Sequence, residues 1–485
     1  MPTDQSPNSI TVRNPRTGEC DYAIPVTSAP EIQTIAATLR GAQPTWESIG
    51  PSGRAASLNR FADALMAEVG ALSAALAIDT GRRTFAQFEA HRSVELTRMW
   101  ADRLGPILES TASSGHSGQV PSVHYQHRLI PYEVVAVISP WNVPLLLAMI
   151  DSLAALAAGC SVLLKPSEVT PRFIEPLRRA LQSVPELDAV LKIVTGGPDT
   201  SRAMVDAVDA VCFTGSVRTG REVAKQAAGC FIPAFLELGG KDPALIFPDA
   251  DLPLAARAVI RSAIGMTGQA CQSLERIYCH EQVVDAFTKE LLEQIAQLSL
   301  THSEDGSGDI APLIFERQID IIEAQISDAL HQGARCLAGG VAVRDGGIWY
   351  PPTVLVDVNH DMILMQEETF GPVIPVMTFA DDEEAIALAN DSEFGLSAAV
   401  FSGNVDKAQA IAARIRVGAI SINDASLTGV VNDVEKNSFC YSGMGGSRMG
   451  PAGLTRFLRK RALLTQTGEP IPIQLFSDQK EGATP

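Results

Sequence analysis

Apolar residues along this chain change their period twice. From Glu31 to Ala42 and from Gly53 to Thr80 they recur at helical spacing, with Leu58, Phe61, Leu65, Val69, Leu72 and Leu76 on one stripe. A further helix is predicted over Phe85–Leu104, and Thr111–Gln119 reads as a Ser/Gly loop. After an irregular strand over Ser122–Ile130, the run Tyr132–Ser139 reads as a continuous strand, its apolar stretch Val134–Ile138 suited to burial on both faces. From there short apolar strands (161–165, 191–195, 210–213) alternate with helices (144–158, 171–183, 201–208). That alternation predicts a parallel sheet with crossover helices on both faces.

A second set of strands follows the Gly239-Gly240 turn, at 243–247, 275–278, 353–356, 373–379, 398–401 and 419–422. Helices are predicted around 253–265, 282–297, 315–332, 382–390 and 404–415. The fold class is therefore α/β, with a doubly wound parallel-sheet domain followed by a second α/β domain. Residues 1–20 read as a short polar arm with a turn at Asn14–Gly18, and the tail beyond Gly468 as disordered or laid on a neighbouring subunit.

The run Val143–Leu164 is long enough to cross a bilayer, but Asp151 falls inside it and Pro140, Asn142 and Pro144 break its start. A buried helix stopped by Gly159 and followed by a strand is the better reading. A formal net charge of −18 argues against nucleic acid or an anionic membrane as partner. The eight cysteines form no CxxC pair, so neither a metal site nor a dithiol motif is expected, and a reducing, cytoplasmic setting fits. The N-terminus has no basic head with an apolar core, so no signal peptide is expected.

Candidate chemistry concentrates between Phe235 and Ser273. A carboxylate, Glu237, opens a Leu-Gly-Gly-Lys turn, and Cys271 follows Gly-Gln-Ala, 34 positions on (271 − 237). A thiolate nucleophile with a base is one reading; a small buried hydrophobe is the other. Phe213-Thr214-Gly215-Ser216 follows a strand and opens a helix, a place for a pyrophosphate or merely a tight turn. Lys165-Pro166-Ser167-Glu168 ends a neighbouring strand, where ribose hydroxyls can bind, or where an exposed Lys and a capping Glu can sit. Pro140-Trp141-Asn142 offers an amide for an oxyanion or a plain turn, and Glu367-Glu368-Thr369-Phe370-Gly371-Pro372 an acidic pair before a sharp turn.

Together these runs, in this order, resemble the aldehyde dehydrogenase superfamily from about Asn14 to Leu464. The resemblance implies that Cys271 adds to an aldehyde carbonyl, that Asn142 supports the oxyanion, and that Glu237 activates the water that hydrolyses a thioester. It implies NAD as cofactor, with NADP the alternative, held by Ser139, Trp141, Lys165, Glu168, Gly215, Ser216, Leu238, Glu368 and Phe370. A carboxylate at Glu168 disfavours a 2′-phosphate and so favours NAD. The implied domains are cofactor binding over 1–107 and 133–238, catalysis over 239–437, and a small β oligomerisation element over 108–132 and 455–478, building a homodimer or homotetramer.

Two stretches depart from the family pattern. Gln272-Ser273-Leu274-Glu275 replaces its usual continuation after the cysteine, and its Pro-Phe-Gly-Gly run is replaced between Asn423 and Gly450. Leu145, Leu146 and Met149 follow Asn142 at helical spacing, which points either to an apolar or aromatic aldehyde or to ordinary core. Rival readings are a member acylating coenzyme A, against which Glu237 argues; a cofactor-free thiol hydrolase; and a non-catalytic descendant, against which Cys271, Glu237 and Asn142 argue.

Overall fold

A computed structural model describes residues 9–302 and 307–476. Its first sheet has six strands in the order Gly443–Met444, Ala234–Glu237, Ala210–Thr214, Val134–Ile138, Ser161–Lys165, Leu191–Ile193. All neighbours are parallel except the Gly443–Met444 edge. The central strands are buried along their whole length, and their side chains alternate between two cores. Val135, Val137, Val162 and Leu164 pack with helices Gly50–Ala67, Arg83–Thr111 and Pro144–Ala158. Val134, Ala136, Leu163 and Val211 face Ile32 and Leu39 of helix Ala29–Ser48 on the other side. The period-2 pleat thus divides one apolar run between two helical layers.

The second lobe holds a seven-stranded sheet in the order Arg335–Ala338, Thr353–Val356, Val373–Phe379, Leu274–His280, Asp242–Ile246, Ser397–Phe401, Ala419–Ile422. It is parallel except for the first strand. That edge strand carries no buried alternation, because Arg335, Cys336 and Leu337 are all exposed. A separate three-stranded antiparallel sheet joins Ser114–His116, Val123–Pro131 and Leu458–Gln466.

The 143–164 run is a helix capped by Gly159 at φ +106° and followed by a strand, entirely inside the first lobe. Its Asp151 accepts from Arg448 Nη2 at 2.6 Å and also from Arg456. Burial alone would raise this carboxyl, but the two guanidiniums hold it below its usual value. No single helix among the described residues is long and apolar enough to cross a membrane.

Several expectations need correction. Residues 9–25 are not a polar arm: Ser9–Arg13 and Cys20–Pro25 pair as a hairpin around the Asn14–Gly18 turn. Pairing satisfies the backbone there, so only weak side-chain alternation is required. The Gly53–Thr80 stripe is two helices, Gly50–Ala67 and Val69–Thr80, bent by 65° at Glu68. The helix after Arg83 runs on to Thr111, through the expected domain boundary at 107/108. Gly443–Met444 pair with the edge of the first sheet, and Arg448 and Arg456 reach Asp151 of helix Pro144–Ala158. Of the expected tail, 473–476 form a single turn; residues 477–485, like 1–8 of the arm, lie outside the described residues.

Candidate active site

Four neighbouring strands of the first sheet deliver their carboxyl ends to one cleft between the lobes, where ligands of open α/β sheets bind. The cleft measures about 1030 Å³. Strand Val134–Ile138 leads to Ser139, Trp141 and Asn142; strand Ser161–Lys165 to Lys165 and Glu168; strand Ala210–Thr214 to Gly215 and Ser216; strand Ala234–Glu237 to Leu238. From the second lobe come Cys271, Glu368 and Phe370. Every expected site residue except Glu237 is on this wall. Glu237 is part-buried at the end of its strand, where its Oε2 accepts from Ser438 Oγ at 2.7 Å and from Lys436 Nζ at 3.2 Å.

The residues fit a dinucleotide. Ser139 Oγ is buried in the cleft with no hydrogen-bond partner. Ser216 caps helix Val217–Gly229, accepting from Thr219 N–H, so the positive end of that helix faces the cleft. Lys165 is buried and donates to Glu168 at 3.3 Å; burial lowers its ammonium pKa and Glu168 partly restores it. Trp141 packs edge-on to Phe370 with ring centroids 5.4 Å apart, forming an aromatic wall.

The cysteine loop is strained. Met266, Thr267 and Gly268 have φ of 55°, 59° and 69°, a left-handed run costing about 1–2 kcal/mol for each non-glycine residue. A Cβ on Gly268 would lie 2.1 Å from Gly371 O, so the glycine before Gln269 is required where the Phe370-Gly371-Pro372 turn crosses. Tertiary bonds hold this geometry. Thr267 Oγ1 donates to Ala311 O at 2.9 Å, and Gln269 Oε1 accepts from Ile314 N–H at 2.9 Å. Asn142 Nδ2 donates to Gln269 O at 3.0 Å, tying the amide to the segment that carries Cys271.

Burial pushes the Cys271 thiol up to about 12; Lys436 is the cation that opposes this, while Glu368, Asp242 and Glu237 add to it. Glu368 is pushed up to about 8, by burial first and then by the charge of Glu275, despite accepting from Gly240 N–H at 3.2 Å. A neutral carboxyl is thus available beside the aromatic wall near neutral pH.

The apolar stripe after Asn142 belongs to the core. Leu145 and Met149 are fully buried inside the first lobe and Leu146 packs against it, so they are not substrate walls; Leu147 reaches the cleft instead. The segment after Asn423 packs on the cysteine loop: Ser426 Oγ donates to Gln272 O at 2.9 Å and Thr428 bonds the Gln272 side chain.

Three further positioning side chains have no role assigned from the sequence, although Lys241 and Glu275 stand in runs that it singles out. Arg82 donates to Asn142 O at 3.0 Å and to Met266 O at 2.6 Å, bridging the two turns. Lys241 and Glu275 form a buried pair behind the Glu368–Phe370 turn. Glu275 left a trace, a carboxylate beside Arg276 near the start of the fully buried strand Leu274–His280, where a charge must be paired. Arg82 left none.

A cleft at the carboxyl ends of a doubly wound sheet, facing a cysteine on a second α/β lobe, defines a two-lobed α/β protein with a ligand site between its lobes. The sequence profile of the aldehyde dehydrogenase family matches residues 2–463. The chain belongs to that family. It is 36% identical to 4,4'-diapolycopene aldehyde oxidase of a Methylomonas species, over 91% of this chain and 82% of that one. PutA of Anabaena variabilis, itself provisionally assigned as an aldehyde dehydrogenase, superposes with a TM-score of 0.93 at 46% identity, covering 96% and 99% of the two chains. Betaine aldehyde dehydrogenase of Staphylococcus aureus, determined with NAD+, gives 0.89 at 28% identity, covering 97% and 94%.

Proposed function

We propose that the chain oxidises an apolar aldehyde to its carboxylic acid with reduction of NAD, NADP being the alternative, through a covalent intermediate on Cys271. The observation that carries this reading is the shared wall of Cys271, Asn142, Lys165 and Glu168 in one interlobe cleft. Cys271 Sγ, as the thiolate, forms a bond to the carbonyl carbon while the carbon–oxygen π bond breaks, so the oxygen takes the negative charge. The Asn142 amide and the Cys271 N–H are the donors for that oxyanion. Nicotinamide, when bound, would supply the two-electron acceptor needed for oxidation of the thiohemiacetal to a thioester. Lys165 and Glu168 would hold the adenosine ribose, Gly215 and Ser216 the pyrophosphate, Leu238 the intervening stretch, and Ser139, Trp141, Glu368 and Phe370 the nicotinamide end. Glu237 then takes a proton from water, whose oxygen attacks the thioester carbon and expels the Cys271 sulfur.

An apolar substrate is supported by Val430, Val434 and Phe439, exposed on the same segment that packs against Gln272, and by the name of the Methylomonas relative. A homodimer or homotetramer is supported by the Leu458–Gln466 strand and the turn after it, where Leu464, Ile473 and Phe476 are exposed. Eight free cysteines suit a reducing cytoplasm.

The deciding experiment follows absorbance of the reduced cofactor with aliphatic, aromatic and semialdehyde substrates, each with NAD and NADP and without coenzyme A. The expected result is acid formation with the apolar aldehydes, faster with NAD, and none from Cys271→Ala. Turnover surviving in that variant, or an absolute need for coenzyme A, overturns the reading.

A further inference from the structure

Lys436 belongs to the stretch that departs from the family pattern, far in sequence from both Glu237 and Cys271. Its side chain is nonetheless only 9% exposed and that of Glu237 only 13%. Lys436 Nζ lies 3.2 Å from Glu237 Oε2 and donates to Ser438 Oγ at 3.0 Å, while Ser438 Oγ donates to the same Glu237 oxygen at 2.7 Å. A closed triangle of ammonium, hydroxyl and carboxylate therefore occupies the end of strand Ala234–Glu237. The return of Gly443–Met444 onto Glu237 and Leu236 fixes the segment that delivers it.

The chemistry of this triangle has two consequences. An ammonium and a hydroxyl on one carboxylate oxygen orient the carboxyl and hold it against rotation. Burial is the first cause that raises the Cys271 thiol, and Lys436 is the charge that opposes it, against the carboxyls of Glu368, Asp242 and Glu237. Glu237 in turn feels Lys436 directly and Arg448 through space.

We propose that Lys436 is a positioning residue for the reaction: with Ser438 it fixes the carboxyl of Glu237 in one orientation at the end of its strand. This rests on the role given above to Glu237. A carboxyl held from two donors on one oxygen keeps its other oxygen aimed in one direction, and losing that hold should slow the step that uses Glu237 and not the step that precedes it.

The test uses the full-length enzyme with NAD and the apolar aldehyde it turns over fastest. Lys436→Met and Lys436→Gln, two neutral variants so that misfolding of one does not remove the comparison, are expected to lower the steady state about tenfold and to make a pre-steady-state burst of reduced cofactor appear or grow, with KM for the aldehyde within about twofold. Lys436→Arg should restore the rate to within about threefold. In a Glu237→Gln background the Lys436→Met change should cost no more than about twofold further, because the group it positions is already gone. An unchanged burst and steady state in a folded neutral variant, or an undiminished loss in the Glu237→Gln background, overturns the proposal. Aldehyde oxidation persisting in Cys271→Ala would instead sink the proposed function.

Discussion

Lys241 Nζ donates to Glu275 Oε2 at 2.8 Å, with the two side chains 0% and 3% exposed. Glu275 also accepts from Thr369 N–H at 2.7 Å and Phe370 N–H at 2.8 Å, and Lys241 donates to Thr369 Oγ1 at 2.9 Å. The Lys of the Gly-Gly-Lys run therefore acts through the turn that places Glu368 and Phe370 on the cleft wall. Removing one member of a buried pair strands the other charge. Lys241→Met should cost about 3–5 kcal/mol in a urea unfolding midpoint, with part of the loss recovered in Lys241→Met/Glu275→Leu. A loss below about 1 kcal/mol would show the pair to be dispensable.

Gly268 meets two independent demands, a φ of 69° and passage of Gly371 O. Gly268→Ala should lower Tm and reduce kcat by about tenfold or more, because the loop shift needed to clear the Cβ moves Cys271. Activity and Tm both within error of wild type would mean that the crossing can open at no cost.

Glu237→Gln keeps the hydrogen-bonding shape at Ser438 but removes the base. If deacylation depends on it, a pre-steady-state burst of reduced cofactor should appear or grow while the steady state falls by about a hundredfold or more. Stopped-flow absorbance reads both phases. A steady state matching wild type would remove Glu237 from the mechanism.

Glu368 gives a pH signature. Its carboxyl titrates near 4.5 when unfolded and near 8 when buried in the fold. Between those values the folded chain holds a proton that the unfolded chain has lost. Its contribution to stability is therefore full below about 4.5, falls as pH rises, and is gone above about 8. Glu368→Gln has no such dependence, so the Tm difference between variant and wild type should move in favour of the variant from about pH 5 to about pH 9. A difference that stays flat would place this carboxyl at an ordinary pKa.

The apolar strands at 134–138, 161–165 and 210–214, their crossover helices and the glycine turns were legible in the linear chain. Each is a local solution to burying its own apolar face, and that face leaves a period. The strand-end motifs were legible too, because parallel strands flanked by crossovers must present their carboxyl ends together. Partners outside such periods were not. The Ser9–Arg13 hairpin, the exposed edge strand at Arg335 and the return of Gly443 to Glu237 are set by backbone pairing, which any exposed side chain tolerates.

Leu145 and Met149 carried the right spacing for a substrate wall, yet packing turned them into core and left Leu147 on the cleft. Arg82 and Lys436 were invisible for the same reason. A charged side chain reveals its partner only when a fold brings a residue 60 or 199 positions away within hydrogen-bonding reach. The chain alone determined which residues could do chemistry; only the packing of two lobes and a returning C-terminal segment decided which of them meet, because long-range contact depends on the whole core and not on any local pattern.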